Sequence, residues 1–210
     1  MKRNGAFTLV EMMVAMVLIA LLSVVSRPAV SALTGAGTVN RAIGDLSGAL
    51  DLARAYAMAQ STYVRVGFCN VPTAADGAQT VVLTLYSRDG TLDASDAEGM
   101  ASAAWMPAAK PLLLRNLCVN DALGAVNDST PSATNIPAFV RSVPGVGSVS
   151  FTSCIQFDPS GEARVQLSGV SRFIKIGMKR SLGSNSDANP FVVRLAGVSG
   201  AITVLRKENL

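Results

Sequence analysis

Histidine is absent from the 210 residues, charged side chains make up only 15% of them, and aromatic residues only 5%. Without histidine the chain lacks the commonest general base and the commonest zinc ligand, which excludes Ser-His-Asp and Cys-His catalysis and the usual His-containing metal sites. There is no Gly-x-x-x-x-Gly-Lys-Ser/Thr loop and no Gly-x-Gly-x-x-Gly turn, so neither common phosphate-binding signature is present. No enzyme activity, cofactor or metal is therefore expected. Charge is scarce against the usual quarter of a globular chain. Half of the residues are nonetheless hydrophobic, and that excludes disorder, which goes with poverty in aliphatics. Long apolar runs are scarce too. Only Phe7 to Val25 is long enough to cross a bilayer, with 16 of 19 residues hydrophobic, which excludes a polytopic membrane protein.

What is present begins with that run. Lys2 and Arg3 precede it, and by the positive-inside rule they stay cytoplasmic while everything after Val25 is translocated. Glu11 stands inside the run, where a carboxylate costs about 2.5–3.5 kcal/mol if placed centrally and less near the interface. A secretory signal or a plain anchor has no need of it. Reaching back to water from the membrane edge is one use for such an acid. Val30-Ser31-Ala32 would pass as a signal-peptidase site with a start near Leu33, but the length of the run and Glu11 argue against it.

Gly5-Ala6-Phe7-Thr8-Leu9-Val10-Glu11 closely resembles the processing site of type IV pilins and type II secretion pseudopilins. The resemblance implies cleavage by a prepilin peptidase between Ala6 and Phe7, N-methylation of Phe7, and Glu11 as the fifth mature residue. The residue before the cut is usually Gly in that family and is Ala6 here. A cut after Gly5 would instead leave Ala6 first and Glu11 one place late. The resemblance further implies that Glu11 of one subunit pairs with the Phe7 amine of its neighbour in a filament, so that neither charge is stranded in lipid. Pro28 would be mature residue 22, where many pilins kink their helix; a breaker just outside the membrane explains it equally well. Cleavage would remove Lys2 and Arg3 and lower the formal charge from +4 to +2.

Beyond the run, Val39, Ile43, Leu46, Leu50, Ala53 and Ala57 recur in steps of three and four, one face of a helix. The spacing predicts a helix from Phe7 to about Gln60, kinked or frayed between Arg27 and Val39. After Gln60 the period becomes two. Strands are predicted at Tyr63–Cys69, Gln79–Ser87, Pro111–Val119, Gly147–Phe157, Ala163–Leu167, Arg172–Met178, Phe191–Ala196 and Ala201–Arg206, with residues 91–110 irregular and 120–147 loop-like. The expected fold is α+β: a long, partly transmembrane N-terminal helix packed on an antiparallel β-sheet head. The expected organisation is a leader at 1–6, a membrane and filament-core helix at 7–27, an amphipathic continuation at 28–60, and an extracytoplasmic head at 61–210.

Within the superfamily the head is similar to minor pseudopilins and minor pilins of the GspH and FimT type. Three features carry this: the helix end Leu52-Ala53-Arg54-Ala55-Tyr56-Ala57, the turn Ile155-Gln156-Phe157-Asp158-Pro159-Ser160-Gly161, and a terminal strand pair around a Gly turn. The stretch from Asn116 to Ser148 falls outside the resemblance. A structural subunit follows from it, whose partners are a prepilin peptidase, other pilins or pseudopilins and the inner membrane. An anchored extracytoplasmic domain that never polymerises is a further reading.

Cys69 and Cys154 both point away from the main apolar residues of their strands, so a disulfide across a sheet is one expectation and burial as small residues another. Cys118 is the third. Asp89, Asp93, Asp96 and Glu98 gather in one loop whose spacing is not an EF-hand, and a solvated acidic loop is preferred to a calcium site. From Arg164 onward eight Lys or Arg face two acids, Asp187 and Glu208. Nucleic acid is the partner such a bias suggests. Some minor pilins that this chain resembles take up DNA through a basic C-terminal region, which implies a DNA-binding minor pilin for DNA uptake as an alternative, with Arg172, Lys175, Lys179, Arg180, Arg206 and Lys207 as the contacts. An ordinary solvated strand face accounts for the same residues, and few aromatics accompany them.

Overall fold

The computed structural model describes residues 8–73, 77–92, 104–120, 129–131, 136–166, 169–181 and 190–206, with the side chains of 24–36 outside that set. By its contacts the chain divides into two compact units, Met1–Arg41 and Ala42–Leu210. The one α-helix among the described residues, α1, covers Leu9–Ala59. Its backbone therefore stays helical through Arg27–Val39, where fraying was expected. Pro28 lies in that stretch, and its side chain is outside the described residues.

In the second unit α1 buries Ala42, Leu46, Leu50, Ala53 and Ala57, all at most 4% exposed. These are the predicted stripe with Ala42 added, while Val39 and Ile43 are half-buried. Twelve strands follow: β1 Val64–Thr73, β2 Gly77–Ser87, β3 Trp105–Pro107, β4 Leu112–Leu114, β5 Leu117–Val119, β6 Phe139–Val143, β7 Gly147–Phe151, β8 Ser153–Phe157, β9 Ala163–Arg164, β10 Phe173–Arg180, β11 Phe191–Ala196 and β12 Ile202–Arg206. They form a six-stranded sheet, β3-β2-β1-β8-β9 with β4 also on β2, a four-stranded sheet β12-β11-β10-β5, and the hairpin β6-β7. All pairings between these strands are antiparallel, so the α+β expectation holds.

The larger sheet is covered on both faces. Tyr56 of α1 meets Tyr86 with ring centres 5.1 Å apart, on the face shared by Val64 of β1. On the other face Val81, Leu83, Leu85 and Cys154 pack with Trp105, Val149 and the stacked rings of Phe139 and Phe151, 4.8 Å apart. Gly67 is required there, because a Cβ would come within 2.6 Å of the Phe139 ring. Arg65 is wholly buried on this face; its Nε donates to Gln156 Oε1 at 2.8 Å and its guanidinium lies 4.3 Å from the Trp105 ring centre. Arg141 Nη2 donates to the Trp105 carbonyl at 2.9 Å.

Several strand expectations are corrected: residues 91–110, expected to be irregular, contain β3, which pairs with β2. Pro111–Val119 is two strands in different sheets, because Asn116 takes a left-handed φ of 59° and turns the chain. Gly147–Phe157 is also two strands, and the chain changes sheets at Thr152. Residues 120–147 contain β6, which pairs with β7 across Pro144-Gly145-Val146.

Arg54 joins the three head features behind the family resemblance. Its Nε donates to the Gly161 carbonyl at 3.1 Å, and its side chain fills the space a Cβ would occupy at Gly200. The helix end, the Asp158 turn and the Gly turn between β11 and β12 thus meet at one side chain. Asp158 organises its own turn: Oδ1 accepts from Ser160 N, Ser160 Oγ and Glu162 N, and Oδ2 accepts from Arg164 Nη2 at 2.8 Å.

Candidate functional site

The start of α1 is built from Thr8. Thr8 Oγ1 accepts the Glu11 N–H at 3.3 Å and its carbonyl accepts the Met12 N–H at 3.2 Å, which caps the first turn. Thr8-x-x-Glu11 has the spacing of a capping box, a signal that sequence reading on Glu11 alone passed over. Glu11 is exposed in that first turn, where a negative charge suits the positive end of the helix dipole.

The helix that follows offers apolar surface all round. Leu9, Val10, Met12, Met13, Val14, Met16, Val17, Leu18, Ile19, Leu21 and Leu22 are each more than half exposed. Ser23 Oγ closes onto the Ile19 carbonyl at 2.8 Å and so hides its own polarity. A soluble helix keeps a polar side; one that is apolar on every side needs another apolar surface or lipid around it. Among the described residues no helix is long and apolar enough to cross a membrane. Of the run Phe7 to Val25, Phe7 and the side chains of Val24 and Val25 lie outside those residues, as do Gly5 and Ala6.

This same segment matches a known motif. Residues 1–26 carry the prokaryotic N-terminal methylation motif. The motif supports the type IV pilin and pseudopilin superfamily, processing by a prepilin peptidase, and assembly with other pilins in general. No curated protein and no solved structure matches the chain.

Elsewhere the predicted residues separate. Lys175 and Lys179 share the outer positions of β10, and Lys175 stands directly opposite Arg194. Arg180 and Arg206 occupy the other set, in step with Ile174, Ile176 and Met178 and opposite Leu117 and Phe191 respectively. Arg172 precedes β10, and Lys207 lies outside the described residues. The six are thus not gathered on one surface, while Arg194, not among them, stands opposite Lys175 and shares the Phe173 ring with Arg172.

The Cys69–Cys154 bond, one of the two expectations, is not formed. Gly67 is the residue opposite Cys154, so Cys69 is its diagonal neighbour. Diagonal neighbours stand roughly 7 Å apart, against about 4 Å between the Cβ atoms of a disulfide. Cys154 faces the second core rather than solvent, and burial pushes its thiol up to about 12, with the Arg65 charge only partly opposing. Cys69 lines a cleft of about 260 Å³ with Asn70, Val119 and Ser153, and burial raises its thiol as well. Neither is a ready nucleophile.

In the acidic loop Asp89 accepts from Ser87 Oγ at 2.7 Å and Thr91 N at 3.1 Å, and the Ser87 bond leads the contacts that hold its carboxyl below the ordinary value. Asp93, Asp96 and Glu98 lie outside the described residues. Among the described residues no cluster of acids and cysteines is fit to hold a metal ion.

Proposed function

We propose that the chain is a structural minor pilin or pseudopilin subunit without catalytic activity, anchored as a single pass in the inner membrane with its head outside the cytoplasm. The observation that carries this reading is the methylation motif at residues 1–26, continued by a helix whose side chains are apolar and exposed from Leu9 to Leu22 apart from Glu11. Cleavage falls between Ala6 and Phe7, the new Phe7 amine is methylated, and Glu11 pairs with that amine on an adjoining subunit in a pilus or secretion pseudopilus. Such a pair removes two stranded charges together, so losing one partner costs more than the pair itself contributes. The nearest subgroup is the GspH and FimT type, a placement supported by the meeting of the helix end, the Asp158 turn and the terminal Gly turn at Arg54.

Glu11 has two roles to separate, a local one in the capping box and a distant one in assembly. Glu11→Gln separates them, since Gln serves a capping box but carries no charge. The expected result is normal cleavage and methylation with filament incorporation reduced at least tenfold. Normal incorporation of Glu11→Gln would contradict the pairing.

A further inference from the structure

The four-stranded sheet carries five cations, Lys175, Lys179, Arg180, Arg194 and Arg206, and no acidic residue on any strand. Its register sets Lys175 directly opposite Arg194, where like charges destabilise a sheet. One step along the same face, Phe173 draws in two guanidiniums: Arg194 Cζ is 4.7 Å from its ring centre and Arg172 Cζ is 5.5 Å away. Stability alone does not favour two guanidiniums converging on one ring with a lysine opposite one of them. An anion held between them turns the repulsion into attraction.

We propose that the Phe173 end of this sheet binds a phosphate-type oxyanion. A guanidinium held against a ring by cation–π attraction still has N–H groups to donate, the fork geometry that matches phosphate oxygens two at a time. Lys175 adds a point charge from the neighbouring position, and the hydroxyl of exposed Thr203, opposite Arg194 on β12, adds a neutral donor. Arg172 is exposed while Phe173, Lys175 and Arg194 are half-buried, so the site is open at the surface and partly shielded beneath it. The ring already carries the guanidiniums and does not offer itself to a nucleobase. The site reads charge and shape, as a free phosphate or the headgroup of an anionic lipid presents them.

The test uses the full-length protein in a non-ionic detergent free of phosphate. Its thermal midpoint is followed against sodium phosphate, against sodium chloride at matched ionic strength, and against dihexanoyl phosphatidylglycerol below its micelle concentration. The site predicts a saturable rise with phosphate that chloride does not reproduce, and at least a tenfold weaker response in Arg194→Gln. Arg172→Gln, changed outside the strands, weakens the response likewise and guards against a folding defect in the first variant. A response to phosphatidylglycerol alone identifies the lipid headgroup as the source. Equal rises with chloride, or unchanged responses in both variants, overturn the proposal. So does binding confined to a single-stranded oligonucleotide with neither small probe bound, which would be a diffuse polyanion field.

Discussion

At Gly161 the backbone has φ +84° and an added Cβ would lie 2.7 Å from Met58 Sδ, whereas at Gly48 of α1 an added Cβ meets nothing within 4 Å. The same methyl group therefore acts in opposite directions. Gly161→Ala is expected to lose about 1–3 kcal/mol through the left-handed backbone and the displaced methionine. Gly48→Ala is expected to gain about 0.5–1 kcal/mol, the ordinary helix preference for Ala. Denaturant unfolding of the two variants checks both signs. Asp158, 7% exposed, gives a pH signature. Burial raises its carboxyl, but the bonds from Ser160 and Glu162 and the Arg164 charge outweigh burial and hold it below the ordinary value. The folded state thus binds this proton more weakly than the unfolded chain. Its contribution is complete above about pH 4 and is lost as pH falls through the folded-state value. Asp158→Asn should be less stable than the native protein at neutral pH, with the difference closing in acid.

Among elements, β1 and β5 belong to different sheets yet are stitched by Asn70. Its Nδ2 donates to the Val119 carbonyl at 2.9 Å and its Oδ1 accepts the Val119 N–H at 2.9 Å, so one side chain stands in for a strand. Thr80 Oγ1 lies 2.9 Å from the same Oδ1 and 3.1 Å from the Leu117 carbonyl. Asn70→Ala is expected to cost about 1–2 kcal/mol and to speed amide exchange at Val119. No periodicity announces such a stitch, because a polar residue near a strand end looks solvated. Periodicity did reveal Leu46, Leu50, Ala53 and Ala57 as the buried helix stripe, and the bounds of Phe191–Ala196. It could not see that one strand ends just before Thr152 and another starts just after it, since the alternation continues in phase while the sheet changes. Nor could spacing place Cys154 in a second core, because a sheet covered on both faces buries both sets of alternating positions. Thr8 was legible in principle, through its distance from Glu11, and Arg194 through its register with Lys175 only once the strands were paired.

For the whole molecule, the two compact units have different surfaces. The second folds around buried residues of α1, two sheets and a hairpin, whereas the described side chains of the first, Glu11 apart, are apolar and exposed from Leu9 to Leu22. That surface and the methylation motif share the N-terminal segment, and together they are what the proposed anchored subunit rests on. Mass spectrometry of the N-terminus of protein purified from its own cells tests this most directly. The account predicts a chain beginning at Phe7 with one methyl group on its amine. An intact Met1, or a start near Leu33, would contradict it.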